Sequence, residues 1–255
     1  MKALLITMRY ALQEAASNRL ALWIQMTVMV INDLVWVLFW VIFFDRVGAL
    51  RGWDVDQVLL LLAVLTTSAG LVLGLFHNVR NIGPLASSGG LDAALALPVH
   101  PLTHLLVRAV APVNLGDVVF GIALFLYVAR FDPRQAAVFV FAVVCSATLT
   151  LSFLLLMGSL AFFVGRNEGG ELGFHAILLF SSYPVDIFTG VFKVLLYTVV
   201  PAGFVTSVPV RLLDDFDLTL GLGLAAVSAA FAVAAVATFS YGLRRYTSGA
   251  TWVRA

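Results

Sequence analysis

Charge is scarce in this sequence. Of 255 residues only 11% are Asp, Glu, Lys or Arg, where a water-soluble domain carries about 25%. Apolar residues make up 62% and the mean hydropathy is +1.02, which excludes an ordinary soluble domain and leaves little sequence for one. Lysine is scarcer still, with Lys2 and Lys193 against 13 arginines. A phosphate-binding loop needs Gly-x-x-x-x-Gly-Lys-Ser/Thr, because backbone amides and that lysine cradle the phosphates. Lys2 follows the first Met, and Lys193 lies between Phe192 and Val194. The chain therefore has no ATP-binding motif and is not expected to be an enzyme. A net charge of +1 argues against a nucleic-acid partner, which would need a basic patch. The single cysteine, Cys145, excludes an intrachain disulfide and reads as a small packing residue within an apolar run.

Other catalytic constellations are missing too. His100 and His104 share the four-residue spacing of helical metal ligands, but Pro101 stands between them and no carboxylate or cysteine is near in sequence, so no metal site is expected. The closest approach to a membrane serine-hydrolase motif, Ala86-Ser87-Ser88-Gly89, lacks the first glycine and lies in a loop. No nucleophile and base stand at helical spacing. There is no repeat at a period of about 20–50 residues and no low-complexity tail, so residues 1–255 read as one domain.

What the sequence has in abundance is long apolar runs. About 20 apolar residues cross a bilayer, and segments 20–44, 57–77, 106–129, 136–164 and 218–243 meet that length. Residues 1–19 predict an amphipathic interfacial helix, with Leu5, Met8, Leu12 and Ala15 near one face. Arg9, Gln13 and Glu14 interrupt this stretch, so no cleavable signal peptide is expected. A sixth span is broken: the run from Leu172 to Tyr183 meets Pro184 and Asp186, resumes to Val200, and meets Pro201 and Pro209. It reads either as one kinked span over 172–200 or, as the cost of proline in a helix interior favours, as a span followed by two short half-helices that dip back into the membrane. With both termini inside, nine Lys and Arg face inward and six face outward, the bias expected of cytoplasmic loops.

Inside the membrane, polar groups are costly and often functional. Asn32 and Asp33 sit at the centre of the first span and read either as a cavity wall touching a polar or cationic part of a substrate, or as a buried hydrogen bond to a neighbouring helix. Asp117 reads as a cap or interface group and Asp186 as an N-terminal cap of the first half-helix. Gly70 and Gly74, and Ala225, Ala226, Ala229, Ala230 and Ala234, predict faces for close helix contact. Trp23, Trp36, Trp40 and Trp53 read as interfacial anchors.

The chain is organised around Gly89–Arg108, the long segment between two spans that is itself no span. Its pattern stands at Gly90, Leu91, Asp92, Leu97, Pro98, Val99, Pro101 and Leu102 and resembles the coupling-helix loop of type-2 ABC exporter permeases. One departure is Ala96-Leu97-Pro98, where that family is expected to carry a polar or basic residue before the proline. The order Ser181-Ser182-Tyr183-Pro184, half-helix, Pro201, half-helix to Leu213 is similar to the gate helices of the same exporters.

The resemblance implies an all-α membrane protein of six transmembrane helices, with the interfacial helix, a cytoplasmic coupling loop over 78–105 and gate-like half-helices over 185–213. It implies a multi-pass permease of the bacterial cytoplasmic (inner) membrane, both termini cytoplasmic, exporting an amphipathic or apolar substrate. Two permease subunits, identical or paralogous, would meet within the membrane lipid. A pair of ABC ATP-binding subunits, carrying the ATP and Mg, would push on Leu91, Asp92, Leu95, Pro98 and Pro101. Asn32 and Asp33 would line the substrate path; Tyr183, Pro184, Asp186 and Pro201 would belong to the gate. The alternatives are an ion-gradient-driven secondary transporter using Asp33 or Asp117, which such folds often signal by inverted repeats absent here, and a structural membrane subunit without transport.

Overall fold

The computed structural model describes residues 9–10, 13, 18–129, 133–165 and 169–246. The expected interfacial helix over 1–19 lies almost wholly outside them. The regular structure among the described residues is helical, and the one β-pairing is an isolated bridge between Leu50 and Trp53.

Five helices are long and apolar enough to cross a membrane. They are α1 (Arg19–Val47), α2 (Val55–Leu75), the third span (Pro112–Ala129), the fourth (Pro133–Val164) and the last (Leu218–Arg245). Between the second and third lie three short helices, α3 (Ile82–Ser88), α4 (Asp92–Leu95) and α5 (Pro101–Val107). The body of the third span is α6 (Leu115–Ala129); the fourth divides into α7 (Pro133–Ser159) and α8 (Ala161–Val164). Next come α9 (Gly169–Ser181), α10 (Gly190–Thr198) and α11 (Val208–Asp214), and the last span is α12 (Leu218–Arg245).

The local chemistry explains these bounds. Asp54 closes a capping box on α2, accepting from the Gln57 amide at 2.8 Å while the Gln57 side chain accepts from the Asp54 amide, an arrangement that satisfies two orphan donors at a helix start. Asp217 caps α12 through the Thr219 amide. Gly89 ends α3 in the left-handed region at φ 81°, the conformation glycine adopts without a Cβ penalty. The third span starts later than its apolar run suggests. Pro112 forbids a continuous helix from residue 106, so α5 ends at Val107 and a 3-10 turn over Pro112–Asn114 re-enters the bundle.

Helix α2 is the centre of the molecule, with 83% of its apolar window buried against 17% for α1 and 22% for α12. Its small residues explain the position. A Cβ on Gly70 would stand 2.7 Å from the Asn114 carbonyl oxygen, and one on Gly74 would stand 2.9 Å from Leu115 Cδ2. The Gly-x-x-x-Gly face therefore packs within the chain, onto the start of α6. The alanine face of α12 makes no such contact within the chain: Ala226, Ala229, Ala230 and Ala234 are exposed, and α12 packs on α7 through Gly221, Leu224, Ser228, Ala235 and Phe239. Trp40 and Trp53, expected as interfacial anchors, are only 2% and 5% exposed and belong to the core, because aromatic rings of α1 and Tyr183 enclose the first and Asp186 binds the indole of the second.

Residues 172–200 are not one helix. α9 ends at Ser181, a 3-10 turn follows at Val185–Ile187, and α10 and the helix over Gly203–Asp214 meet at 72°. Pro184 and Pro201 stand at these breaks, where a missing N–H costs no helix bond. The second begins with a π-turn, Gly203–Ser207.

Candidate functional site

A cavity of about 510 Å³ opens between α1, α2, α6 and α9. Leu62, Leu65, Leu73, Phe120, Phe174 and Leu178 form much of its wall. Into this apolar surface project Asn32, Asp33, Thr66, Asn114 and Asp117. Asp33 and Asp117 are 8% and 7% exposed, and Asp33 Oδ2 and Asp117 Oδ1 have no hydrogen-bond partner. A buried carboxylate oxygen without a donor is expensive, so the cavity is poised to receive one.

Asn32 and Asp33, read from sequence either as a cavity wall or as a buried hydrogen bond to a neighbouring helix or partner subunit, line this cavity. Asp117, read from sequence as a cap or interface group, shares the cavity with Asp33, because Pro112 and the 3-10 turn deliver the first turn of α6 into the bundle opposite α1. Its position three residues after Asn114, another cavity residue, was the signal available in sequence. At one end of the cavity, Arg80 donates twice to Glu171, at 2.8 and 2.9 Å, and lies over the Phe174 ring at 3.9 Å. His77, also on the wall, leaves Nδ1 unpartnered.

At the other end, Trp36 and Ser182 line the cavity, and the Tyr183 ring rests edge-on against Trp36 and Trp40 at 5.9 and 5.7 Å. Beyond it stands Asp186. The sequence made this residue the N-terminal cap of the first half-helix, but the N-cap of α10 is Thr189, without a side-chain cap bond. Asp186 instead accepts from Lys193 Nζ at 2.7 Å, Arg211 Nη2 at 2.6 Å and Trp53 Nε1 at 3.0 Å, while its carbonyl accepts from Arg51 at 3.3 Å. Burial by itself would raise its pKa, but these donors to the ionised form outweigh burial and hold it at about 2. Pro201 does not reach the cavity; it is buried at the bend before the π-turn, where its carbonyl accepts from Phe204 and Val205.

The loop over 78–105 separates core from surface residue by residue. Leu91, expected on an outer contact face, is 0% exposed and belongs to the main apolar cluster with Leu105, Leu149 and Phe239. Ala94 is buried with it, whereas Asp92, Leu95 and Pro98 are exposed. Pro101 is half-buried at the first position of α5. Asp92 accepts from the Tyr246 hydroxyl at 2.9 Å, which ties the loop to the end of the last span. Burial and the Asp92 carboxylate push the Tyr246 hydroxyl up to about 12. No sequence signal joined residues 92 and 246.

Five helices long and apolar enough to cross a membrane, or six if the bent pair is one span, define a multi-pass membrane protein. Residues 30–250 match the family described as ABC-2 family transporter protein. The chain belongs to that family, and it is a permease subunit of an ABC transporter, a class that works with an ABC ATP-binding subunit. No curated protein and no solved structure matches the chain.

Proposed function

We propose that this permease is one half of an ATP-driven exporter whose path runs through the cavity of Asp33 and Asp117. The single observation that carries the reading is that cavity, with apolar walls and two carboxylate oxygens lacking partners, in a chain of a transporter family. An amphipathic or apolar substrate would lay its hydrocarbon against Leu65, Phe120 and Phe174 and offer a polar or cationic group to the two aspartates. A second permease subunit, identical or paralogous, would complete the path on the exposed apolar face of α1. The chain itself would hydrolyse nothing, ATP and Mg being held by a pair of separate ATP-binding subunits.

Those subunits would dock on the cytoplasmic side against Asp92, Leu95 and Pro98, the exposed residues of the loop. Leu91 would pass the push into the core, and the Asp92–Tyr246 hydrogen bond would pass it to α12 as well. Both termini would then be cytoplasmic, in a bacterial inner membrane.

The test is co-expression with the neighbouring genes, purification through this chain, and an ATPase assay with transport in vesicles. Retention of an ATP-binding protein, its loss in Leu95→Glu without loss of thermal stability, and ATP-dependent uptake into inside-out vesicles are the expected results. Asp33 and Asp117 also favour a second reading, gradient-driven carriage. A chain that purifies without an ATPase and transports on a proton or sodium gradient would establish that reading instead.

A further inference from the structure

The fourth span ends at Val164 and the last at Arg245, and the two ends meet. Phe163 stacks on Tyr241 at 5.9 Å, and Phe162 lies edge-on to Phe239 and Tyr246 at 5.6 and 6.4 Å. With α3 they enclose a groove of about 380 Å³, a size that suits a small ligand. Where spans stop, the bilayer passes from hydrocarbon to headgroups, so the groove lies at that boundary.

Its wall is part apolar and part cationic. Phe163 and Val164 are exposed, at 40% and 72%, and continue the apolar surface of the span. Arg245, also exposed, completes the wall. Its guanidinium lies over the Tyr241 ring at 4.7 Å and the Phe163 ring at 5.7 Å, and it donates to the Tyr241 hydroxyl. Aromatic faces hold a guanidinium in place, and its remaining donors form a fork that matches the oxygens of a phosphate. Among the described residues no carboxylate lines the groove or pairs with Arg245. A fixed positive charge at headgroup level, beside exposed apolar surface, complements a ligand with an anionic head and an apolar tail. Basic pockets between transmembrane helices bind anionic lipid headgroups in this way.

We infer that this groove binds an anionic phospholipid, with its phosphate on Arg245 and an acyl chain along Phe163 and Val164. Tyr246 lines the same groove and donates to Asp92 at 2.9 Å. The lipid therefore lies against the tie between the 78–105 loop and the last span. On the orientation proposed above it belongs to the cytoplasmic leaflet; the binding itself requires neither an ATPase nor a second permease.

The test is native mass spectrometry of the chain purified in a neutral detergent and titrated with dioleoyl phosphatidylglycerol or dioleoyl phosphatidylcholine. Wild type is expected to bind one phosphatidylglycerol with a Kd about tenfold below that for phosphatidylcholine. Arg245→Gln, which removes the guanidinium, should bring the two lipids level. So should Ser87→Trp, which fills the groove from the exposed face of α3 and keeps every charge. Arg244→Gln, adjacent in sequence but not on the wall, should keep the preference. The two groove variants change different sides of the groove, so misfolding of one, seen as early melting in lipid-free detergent, leaves the other to decide. Equal affinities in wild type overturn the site, as does an equal loss in Arg244→Gln, which signals a diffuse basic rim. Inorganic phosphate that abolishes the preference reveals an anion site that needs no lipid. Binding that appears only after deletion of residues 247–255 gives the groove to that segment. Either result overturns the proposal. Lipid binding is read on the chain alone, so its failure leaves the exporter reading standing, and a missing ATP-binding partner leaves the lipid site standing.

Discussion

Replacing Gly121 by Ala adds one methyl group at a close crossing of α6 and α2. Gly121 lies on α6 facing α2, and an added Cβ would collide with Thr67 Oγ1, stand 2.5 Å from Thr66 Oγ1 and stand 2.8 Å from the Ala63 carbonyl oxygen. The hydroxyls are held, Thr67 donating to Ala63 at 2.7 Å and Thr66 to Leu62 at 2.9 Å. The third obstacle is backbone. Carbon and oxygen sit comfortably at about 3.3–3.6 Å, so the helices must part by roughly 0.5–1 Å. Overpacking of this kind costs about 1–3 kcal/mol, while Ala in place of Gly within a helix returns about 0.8–1 kcal/mol. Three close obstacles, one of them backbone, put the steric cost at the upper end and the net loss at about 2 kcal/mol. Gly223→Ala on α12 is the control, because a Cβ there meets nothing within 4 Å and should gain about 0.5–1 kcal/mol. Thermal unfolding in one detergent, followed by size exclusion or tryptophan fluorescence, should shift in opposite directions for the two variants. Equal melting of Gly121→Ala and Gly223→Ala would refute the packing argument.

Changes at four other positions have expected outcomes. Leu91→Ala empties a fully buried site and should lower stability by about 2–5 kcal/mol. Leu95→Ala, at 41% exposed, should stay within about 0.5 kcal/mol, and its effect should appear in binding of the ATPase. Tyr246→Phe removes the bond to Asp92 and should reduce the transport obtained per ATP hydrolysed while costing only about 0.5–1.5 kcal/mol of stability. The Tyr246 pKa is raised from 10.0 to about 12, so its contribution is complete below pH 10 and is lost as pH rises toward 12. A pH titration of melting in wild type and Tyr246→Phe checks this; their curves should converge at the alkaline end. Asp33→Asn keeps the shape of the cavity and should impair transport more than assembly, whereas Asp33→Leu should be neutral for assembly only if no neighbouring helix or subunit needs the carboxylate. Transport unaffected by either change would remove Asp33 from the path.

Apolar runs and prolines made most of the helical frame legible in sequence. Each of five runs is long enough to cross a bilayer, and a helix is the ready way to satisfy its backbone there. The breaks at Pro184 and Pro201 were readable for the same local reason. The start of the third span was misplaced, because residues 106–111 are apolar enough to pass as membrane and only the turn at Pro112 shows that they are not part of the helix. The candidate site was half legible. Asp33 stood out as a charge in the middle of an apolar run, whereas Asp117, near the end of one, read as a cap or interface group, and only the packing of α6 against α1 brought it into the same cavity.

The sequence by itself determined that this is a helical membrane protein without an ATP-binding motif, where its helices break, and that an acid lies within its first span. These follow from local composition: hydrophobic length, the missing N–H of proline and the cost of charge in lipid act on each segment alone. Tertiary structure decided which residues meet. It paired Asp33 with Asp117 in one cavity, brought Trp53, Lys193 and Arg211 to Asp186, joined Asp92 to Tyr246, and turned Leu91 inward while leaving Leu95 outside. These contacts join residues from 7 to 154 positions apart, and the close approach of helices at Gly70, Gly74 and Gly121 that orders the bundle around α2 is a property of the packed bundle and of no single segment.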